Sequence, residues 1–210
     1  MILHVLTDEG HIAGRKHLDI ARAGVEGGAT IIQYRDKNSS SLRMYEVARE
    51  IREITVEARI PFIVNDRLDI AMAVSASGVH LGQSDLPIPV ARRIWGIDKI
   101  YGASASTLEE ALRAEKEEAD YLGFGPIFGG RIVYDVKPDA APPSGLQVLR
   151  EVVSKVKIPV IAIGGITEDN VREVMETGVY GIAVVAAVAW AEDMVNAARN
   201  LRRIVSEYRR

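Results

Sequence analysis

Eight short apolar runs recur along the chain at intervals of about 20 to 30 residues, and stretches with helical patterning separate most of them. The runs cover residues 2–6, 30–34, 62–64, 78–81, 99–102, 121–124, 160–163 and 181–185. They are nearly continuous in apolar character, as expected of parallel strands that are buried on both faces. This alternation predicts repeated βα units, and eight such units predict a closed barrel.

No linker or shift in composition divides the chain, so a single domain spanning residues 1–210 is predicted. The predicted fold class is α/β, and the predicted architecture is a single-domain TIM (β/α)8 barrel. A doubly wound open sheet has the same alternation of strands and helices, so it stays open as the alternative at this point.

Polar residues that cap helices mark where several of the intervening helices begin. The three serines at 39–41 precede a helix that runs to about residue 58, and Thr107 begins a capping box for a helix toward residue 116. The segment Thr167-Glu-Asp-Asn marks the start of a helix that ends near residue 178, and Glu192-Asp193 marks the start of the last helix. In the helix after the serines, the inward-facing set is predicted to be Leu42, Tyr45, Val47, Ile51 and Ile54.

The composition excludes several classes of protein. There is no cysteine, which excludes disulfides, thiolate metal sites and a cysteine nucleophile. The net charge of −3 argues against a nucleic-acid partner or an anionic membrane surface, both of which require a basic excess. The longest apolar run, residues 181–191, is far shorter than the roughly 18 to 20 residues of a membrane span. The first residues lack the basic leader of a signal peptide, so a cytoplasmic protein is expected.

Polar residues follow most of the predicted strands, where a barrel of this kind assembles its active site. At the end of the second strand, alternation places Gln33 and Arg35 on one side, with Lys37 just beyond them. A planar guanidinium fork and a mobile ammonium group suit a phosphate or a diphosphate. The alternative is a salt-bridged strand end in which Arg35 pairs with Asp36.

Two carboxylates follow the third and fourth strands. Asp66 and Asp85 would bring oxygen ligands to the same rim as Arg35 and Lys37, and such ligands beside a phosphate site favour Mg²⁺. The alternative for each is a helix cap, Asp66 before a helix beginning near residue 67 and Asp85 before one beginning near residue 87. Their occurrence together beside two cations favours the metal site.

Gly164 and Gly165 lie between the seventh strand and a helix, where exposed amides and the helix dipole would form an anion pocket. The alternative is a tight turn without a ligand. His4 and His80 lie inside strand patterns and are interpreted as hydrogen-bonded core histidines, because no zinc-ligand spacing accompanies them.

Several segments of the chain are specific in combination: Gln33-Tyr-Arg-Asp-Lys, Phe62-Ile-Val-Asn-Asp-Arg, Gly78-Val-His-Leu-Gly-Gln-Ser-Asp-Leu-Pro, Gly102-Ala-Ser, Ala119-Asp-Tyr-Leu-Gly-Phe-Gly-Pro-Ile-Phe and Ile163-Gly-Gly-Ile. Together they resemble the thiamine-phosphate synthase family over nearly the whole chain. The resemblance implies a TIM barrel. It also implies an enzyme that joins hydroxymethylpyrimidine diphosphate to a thiazole phosphate, releasing diphosphate and forming thiamine phosphate.

The resemblance also implies a role for individual residues. The pyrimidine diphosphate would be bound by Gln33, Tyr34, Arg35, Asp36, Lys37, Asn65, Ser104 and Lys137, of which Arg35, Lys37, Ser104 and Lys137 are the catalytic set. The thiazole phosphate would be bound by Gly165, Val185 and Ala186, and the Mg²⁺ cofactor by Asp66 and Asp85. In the family mechanism the pyrimidine C–O bond ionises first, and the thiazole nitrogen then attacks the cation. Such a reaction requires stabilisation of the departing diphosphate rather than a strong base.

The sequence departs from the family in the loop between Phe128 and Lys137, which is longer than expected and lacks the usual threonines. Arg131 is therefore an alternative to Lys137 as the cation that covers the diphosphate. Ala186 stands where a serine is common, and Ser106 stands where a histidine is common.

Two other functions stay open. A thiazole tautomerase shares the scaffold and the Gly-Gly corner but needs a general acid or base near the fifth strand, and a non-catalytic binder would hold the same phosphates without turnover. Small phosphorylated molecules are the expected partners in each case, and a homo-oligomer is compatible with all three.

Overall fold

Each of the eight apolar runs forms a strand in the computed structural model, which describes residues 1–9, 14–129 and 142–208. The strands are β1 Ile2–Thr7, β2 Ile31–Tyr34, β3 Phe62–Asn65, β4 Gly78–Leu81, β5 Ile100–Ala105, β6 Tyr121–Phe124, β7 Val160–Ile163 and β8 Gly181–Val184. All neighbouring strands pair in parallel in sequence order, and β1 pairs with β8. This closure confirms the predicted TIM barrel and excludes the open doubly wound sheet.

Helices follow the strands and cover the outside of the barrel. They are α1 His17–Glu26, α2 Ser41–Glu57, α3 Leu68–Ala73, α4 Ile88–Trp95, α5 Leu108–Lys116, α6 Gly145–Lys155, α7 Val171–Met175, α8 Ala186–Ala189 and α9 Met194–Glu207. Among the residues described, no helix is long and apolar enough to cross a membrane.

Two glycines allow the strands to begin in close register. A Cβ atom on Gly78 would lie 2.1 Å from the carbonyl oxygen of Ile100 on β5. A Cβ atom on Gly181 would lie 2.2 Å from the carbonyl oxygen of Ile2 on β1. Because neither backbone oxygen can move without breaking the ladder, only glycine fits at the starts of β4 and β8.

The core has two layers, as the alternation of side chains along a strand requires. The larger layer lies between the barrel and its helices, and it includes Val5, Ile32 and Phe62, each fully buried. The smaller layer fills the barrel interior with Leu6, Tyr121, Ile161 and Ala183. The polar side chains of the candidate site therefore lie above a packed interior.

Three of the predicted helix starts are confirmed. Ser40 caps α2 by accepting a hydrogen bond from the Arg43 amide, and Thr107 forms the predicted capping box on α5. Asp193 caps α9 by accepting from the Asn196 amide. α7 begins at Val171, and its N-cap is Asn170, the last residue of the segment predicted to start this helix. The Asn170 side chain accepts a hydrogen bond from the Thr167 amide.

The predicted inward face of α2 is only partly correct. Its buried residues are Met44, Val47, Ala48, Ile51 and Thr55, whereas Leu42 is 68% exposed and Tyr45 is 38% exposed. Leu42 precedes Met44 by two residues, which is about 200° around a helix, so it points away from the barrel. The apolar character of Leu42 and Tyr45 suggested burial that the register of the helix does not allow.

Replacing Ile51 with Ala is expected to lower the free energy of unfolding by about 2–5 kcal/mol, because a fully buried side chain leaves a cavity. The matched control Leu42→Ala is expected to change it by less than about 0.5 kcal/mol. Urea denaturation followed by circular dichroism measures both. Equal losses for the two variants would contradict this assignment of the buried face.

Candidate active site

The end of β2 directs three polar side chains toward the mouth of the barrel. Gln33 is buried, and its Nε2 lies 3.2 Å from Nε2 of His4 on β1. Beyond it, the Arg35 guanidinium pairs with Asp8, and the Lys37 ammonium pairs with Asp66. The predicted common side for Gln33 and Arg35 is confirmed, whereas the alternative in which Arg35 pairs with Asp36 is wrong.

A cavity of about 150 Å³ lies directly below this rim. It is lined by His4, Leu6, Gln33, Arg35, Asn65, His80, Ser104, Tyr121, Gly123, Ile161, Ile163 and Ala183. Four of the residues predicted to bind the pyrimidine substrate, Gln33, Arg35, Asn65 and Ser104, are therefore brought together in one place. Its walls offer amide and hydroxyl groups above an apolar floor, as small-molecule sites commonly do.

His80 links the two walls of this cavity. Its Nδ1 lies 2.9 Å from the Tyr121 hydroxyl, and its Nε2 lies 2.9 Å from the Ser104 hydroxyl. Burial lowers the pKa of His80 to about 4, although the nearby Asp66 opposes the shift. Burial, with His80 nearby, lowers the pKa of His4 to about 3. Both imidazoles are therefore neutral at pH 7 and add hydrogen-bonding groups without adding charge.

The interpretation of His4 and His80 as buried, hydrogen-bonded histidines is confirmed, but it missed that both line the cavity. It also missed Tyr121. The signal was available in strand parity: His80 lies opposite Asn65 in the register of β3 and β4, and alternation then gives both the same face.

Asp66 and Asp85 lie at the ends of the next two strands, and neither of them caps a helix. The N-cap residues of α3 and α4 are Arg67 and Pro87, and neither helix has a side-chain cap. Asp66 instead adopts a left-handed backbone conformation with φ of 61°. Aspartate tolerates this backbone conformation better than most residues. The Asp66 carboxylate pairs with Lys37 and does not cap α3. The helix-cap alternative is therefore wrong for both residues.

The two carboxylates are close enough to interact. Burial raises the pKa of Asp85, and the charge of Asp66 and a hydrogen bond to it raise this pKa further, while the Gly82 amide and Lys37 oppose the shift. The Gly82 amide donates to Oδ2 of Asp85 at 2.7 Å. Within the described ranges no group of three or more acidic or histidine side chains could hold a metal. Two adjacent carboxylates fit Mg²⁺, which typically takes its other ligands from water and substrate.

A second cavity, of about 570 Å³, opens beside the first at the ends of β7 and β8. Gly165, Val185 and Ala186 line it, as predicted for the thiazole phosphate site, and Ile163 and Ala183 line both cavities. Helix geometry leaves the first amides of α8 without partners inside the helix. Such amides can bind an anion.

The two glycines of this corner are also required by packing. Gly164 and Gly165 have φ of 100° and 67°, and Cβ atoms on them would lie 2.6 Å from Pro126 Cα and 2.8 Å from Phe128 Cβ. A tight turn alone therefore accounts for the glycines. The case for a phosphate site here depends on the cavity and the amides of α8.

Five of the described residues predicted for the site line neither cavity: Lys37, Asp66 and Asp85, which lie at the rim, and Tyr34 and Asp36, which lie on the other side of β2. Tyr34 is 2% exposed and donates a hydrogen bond to Asp36, and neither residue lines either cavity. Both side chains point toward α1, where they contact His17, on the opposite side from Gln33 and Arg35. Their contact with substrate stays a prediction. Lys137 and Arg131 lie outside the described residues.

The fold and the two adjoining rim cavities define a TIM-barrel enzyme. Residues 3–188 match the family described as thiamine monophosphate synthase. The chain is 50% identical over 97% of its length to a thiamine-phosphate synthase of Chloroflexus aurantiacus, covering 92% of that protein. It is 49% identical to one of Methanocella arvoryzae over 99% of this chain and 96% of the other. The solved thiamine phosphate pyrophosphorylase of Pyrococcus furiosus superposes with a TM-score of 0.89 at 48% identity, covering 99% of this chain and 96% of that one. The chain belongs to the thiamine-phosphate synthase family.

Replacing Asp85 with Asn is expected to raise the unfolding temperature of the metal-free protein at pH 7. The folded state raises the pKa of Asp85. At pH values above the usual carboxyl pKa, the charged carboxylate therefore lowers the stability of the folded state. The difference in unfolding temperature between variant and wild type is expected to vanish at about pH 3. This pH lies below the usual pKa of an aspartate, so the carboxyl is protonated in both the folded and the unfolded state. Differential scanning calorimetry at the two pH values measures this.

The same variant is expected to lose most of the stabilisation that added Mg²⁺ gives the wild type, because one of two carboxylate ligands is gone. The exposed Asp98→Asn, between α4 and β5, is the control and should respond to Mg²⁺ as the wild type does. If Mg²⁺ stabilises Asp85→Asn as much as the wild type, Asp85 is not a ligand.

Proposed function

We propose that this chain condenses 4-amino-2-methyl-5-hydroxymethylpyrimidine diphosphate with a thiazole phosphate, or its carboxylate form, to give thiamine phosphate and diphosphate. The observation that carries the proposal is the pair of adjoining cavities, which share Ile163 and Ala183 and are otherwise lined by different groups. A condensation needs two substrates held side by side with their reacting atoms in contact. Membership of the thiamine-phosphate synthase family supports the same reaction.

The pyrimidine ring is assigned to the smaller cavity, where Gln33, Asn65 and Ser104 offer hydrogen bonds to its amino group and ring nitrogens. Its diphosphate then extends to the rim, within reach of Arg35 and Lys37. A guanidinium and an ammonium group at this position favour the leaving group as negative charge grows on it. Ser104 is held by His80, which fixes the direction of its hydroxyl group.

The proposed Mg²⁺ would be held by Asp66 and Asp85 together with diphosphate oxygens. When bound, it would neutralise charge on the departing diphosphate. Lys37 lies beside the same carboxylates, so a diphosphate at this position competes with Asp66 for the lysine.

The neutral histidines suit a reaction in which the pyrimidine becomes positively charged. An imidazolium beside the cavity would repel a developing cation, whereas burial keeps His4 and His80 neutral. The thiazole phosphate is assigned to the larger cavity, which Gly165, Val185 and Ala186 line. Its ring nitrogen would then approach past Ile163 and Ala183.

No feature of the described residues favours the tautomerase alternative. That reaction needs an acid or base near β5, but Ser104 on β5 is hydrogen-bonded to His80, whose other nitrogen lies against Tyr121. Both imidazole nitrogens are therefore engaged. The cytoplasmic location and the homo-oligomer stay predictions.

The test is an assay with both phosphorylated substrates and Mg²⁺, read by chromatography for thiamine phosphate and diphosphate in equal amounts. Omission of either substrate should abolish both products. Conversion of the thiazole phosphate alone would instead indicate a tautomerase, and tight binding of both ligands without product would indicate a binder.

Replacing Arg35 or Lys37 with Ala is expected to lower turnover by about 100-fold, because each removes a cation from the leaving-group site. Both side chains lie at the open rim, so the unfolding temperature should change much less than turnover does. The exposed Arg93→Ala on α4 is the control for loss of a positive charge. A loss of activity that merely follows a loss of folded protein would contradict the assignment.

A further inference from the structure

The end of β2 has an outer row of side chains as well as the inner row that faces the mouth. Gln33, Arg35 and Lys37 form the inner row, and Tyr34 and Asp36 alternate with them on the outer side. Asp36 therefore lies in the chain between the two cations assigned to the diphosphate. The contacts that hold Asp36 in place therefore also restrict the positions of Arg35 and Lys37.

The Asp36 carboxylate is fully engaged by this chain. Its Oδ1 accepts hydrogen bonds from the amides of Asn38 at 2.9 Å and Ser39 at 3.0 Å, which turns the backbone directly after Lys37. Its Oδ2 accepts from the Tyr34 hydroxyl at 3.1 Å. Burial would raise the pKa of Asp36, but the hydrogen bonds outweigh it and lower that pKa to about 2.

His17, the first residue of α1, closes this cluster from the other side. Its Nε2 lies 3.6 Å from Oδ2 of Asp36, and its ring meets the Tyr34 ring edge-on at 4.8 Å between centroids. Its Nδ1 lies 2.9 Å from the hydroxyl of Thr7. The Thr7 carbonyl also accepts the Arg35 amide at 3.2 Å, so the cluster joins β1, α1 and the turn after β2.

We propose that Asp36, supported by Tyr34 and His17, is a positioning residue that holds Arg35 and Lys37 in the geometry required by the diphosphate group. This inference rests on the proposed function. Asp36 acts through the backbone turn and does not contact the substrate. A carboxylate next to a diphosphate site would otherwise be unfavourable, because its charge repels the ligand.

Because of this repulsion, the direction in which diphosphate affinity changes when the Asp36 charge is removed distinguishes the two roles. If Asp36 only added negative charge near the site, removing the charge would tighten binding of diphosphate. If Asp36 positions the two cations, its removal weakens binding despite the lost repulsion. Asp36→Ala removes every contact, whereas Asp36→Asn keeps an oxygen that can accept the two amides and so should restore part of the function.

The experiment measures kcat and both KM values for the wild type, Asp36→Ala, Asp36→Asn and Tyr34→Phe. Asp36→Ala is expected to lower kcat by about 100-fold, as for a displacement of about 1 Å in a catalytic group. It should raise KM for the pyrimidine diphosphate while leaving KM for the thiazole phosphate unchanged. Asp36→Asn should fall between Asp36→Ala and the wild type, and Tyr34→Phe should shift the same two constants by less.

The matched control is Asp120→Asn at the opposite end of the barrel. Asp120 also accepts a backbone amide, that of Tyr101 at 2.7 Å, and pairs with Arg92 at 3.1 Å. The Asp120→Asn variant should lower the unfolding temperature without changing either KM. The proposal is overturned if Asp36→Ala loses no more activity than Asp120→Asn at equal loss of stability, or if it raises both KM values alike.

Binding of inorganic diphosphate with Mg²⁺, measured by titration calorimetry, separates this proposal from the proposed function. If the wild type forms no thiamine phosphate, the proposed function fails, but weaker diphosphate binding in Asp36→Ala still supports positioning. Equal or tighter binding in that variant overturns it. If Asp36→Ala does not fold, Tyr34→Phe decides by the same binding measurement.

Discussion

Closure of the barrel is the constraint on which the rest of this structure depends. Because β1 pairs with β8, no edge is left open among the described strands. Because a helical segment connects each strand to the next, all eight strands run in the same direction. The carboxyl ends of all eight strands then meet at one rim, where residues distant in the chain become neighbours. Asp8 and Arg35 pair there, as do Lys37 and Asp66, although 27 and 29 residues separate them.

The sequence predicted the barrel well because burial on both faces leaves a simple pattern of apolar runs. Every predicted run overlaps the strand that forms, and glycines such as Gly78 mark the starts where two backbones approach closely. The register of a helix is harder to predict. Leu42 and Tyr45 are apolar enough for a core, and only the packing of α2 determines that they face outward.

The candidate site was predicted in its residues more than in their roles. From residue type alone, Tyr34 and Asp36 are candidates for substrate binding as much as Arg35 is, since all three belong to one polar segment. Only the alternation of the strand, taken with the position of α1, separates an inner row from an outer row. The backbone conformation of Asp66 had no local signal either, so the residue type alone left a helix cap open as the alternative to the favoured metal site.

Charge is distributed unevenly between the smaller cavity and the rim above it, and this distribution lowers the stability of the folded state. The smaller cavity holds neutral histidines, whereas the rim above it holds paired cations and two carboxylates near each other. The raised pKa of Asp85 and the left-handed backbone of Asp66 both disfavour the folded state. Neither feature serves a helix cap, because neither aspartate caps the helix that follows it. Left-handed backbone also occurs at Arg59, Ser75 and Glu118, which precede strands at the opposite end of the barrel, so it does not distinguish the two ends. The raised pKa of Asp85 is the stronger argument, because perturbed titratable groups cluster at functional sites, and its position beside Asp66 and Lys37 favours this rim as the place where a charged ligand binds.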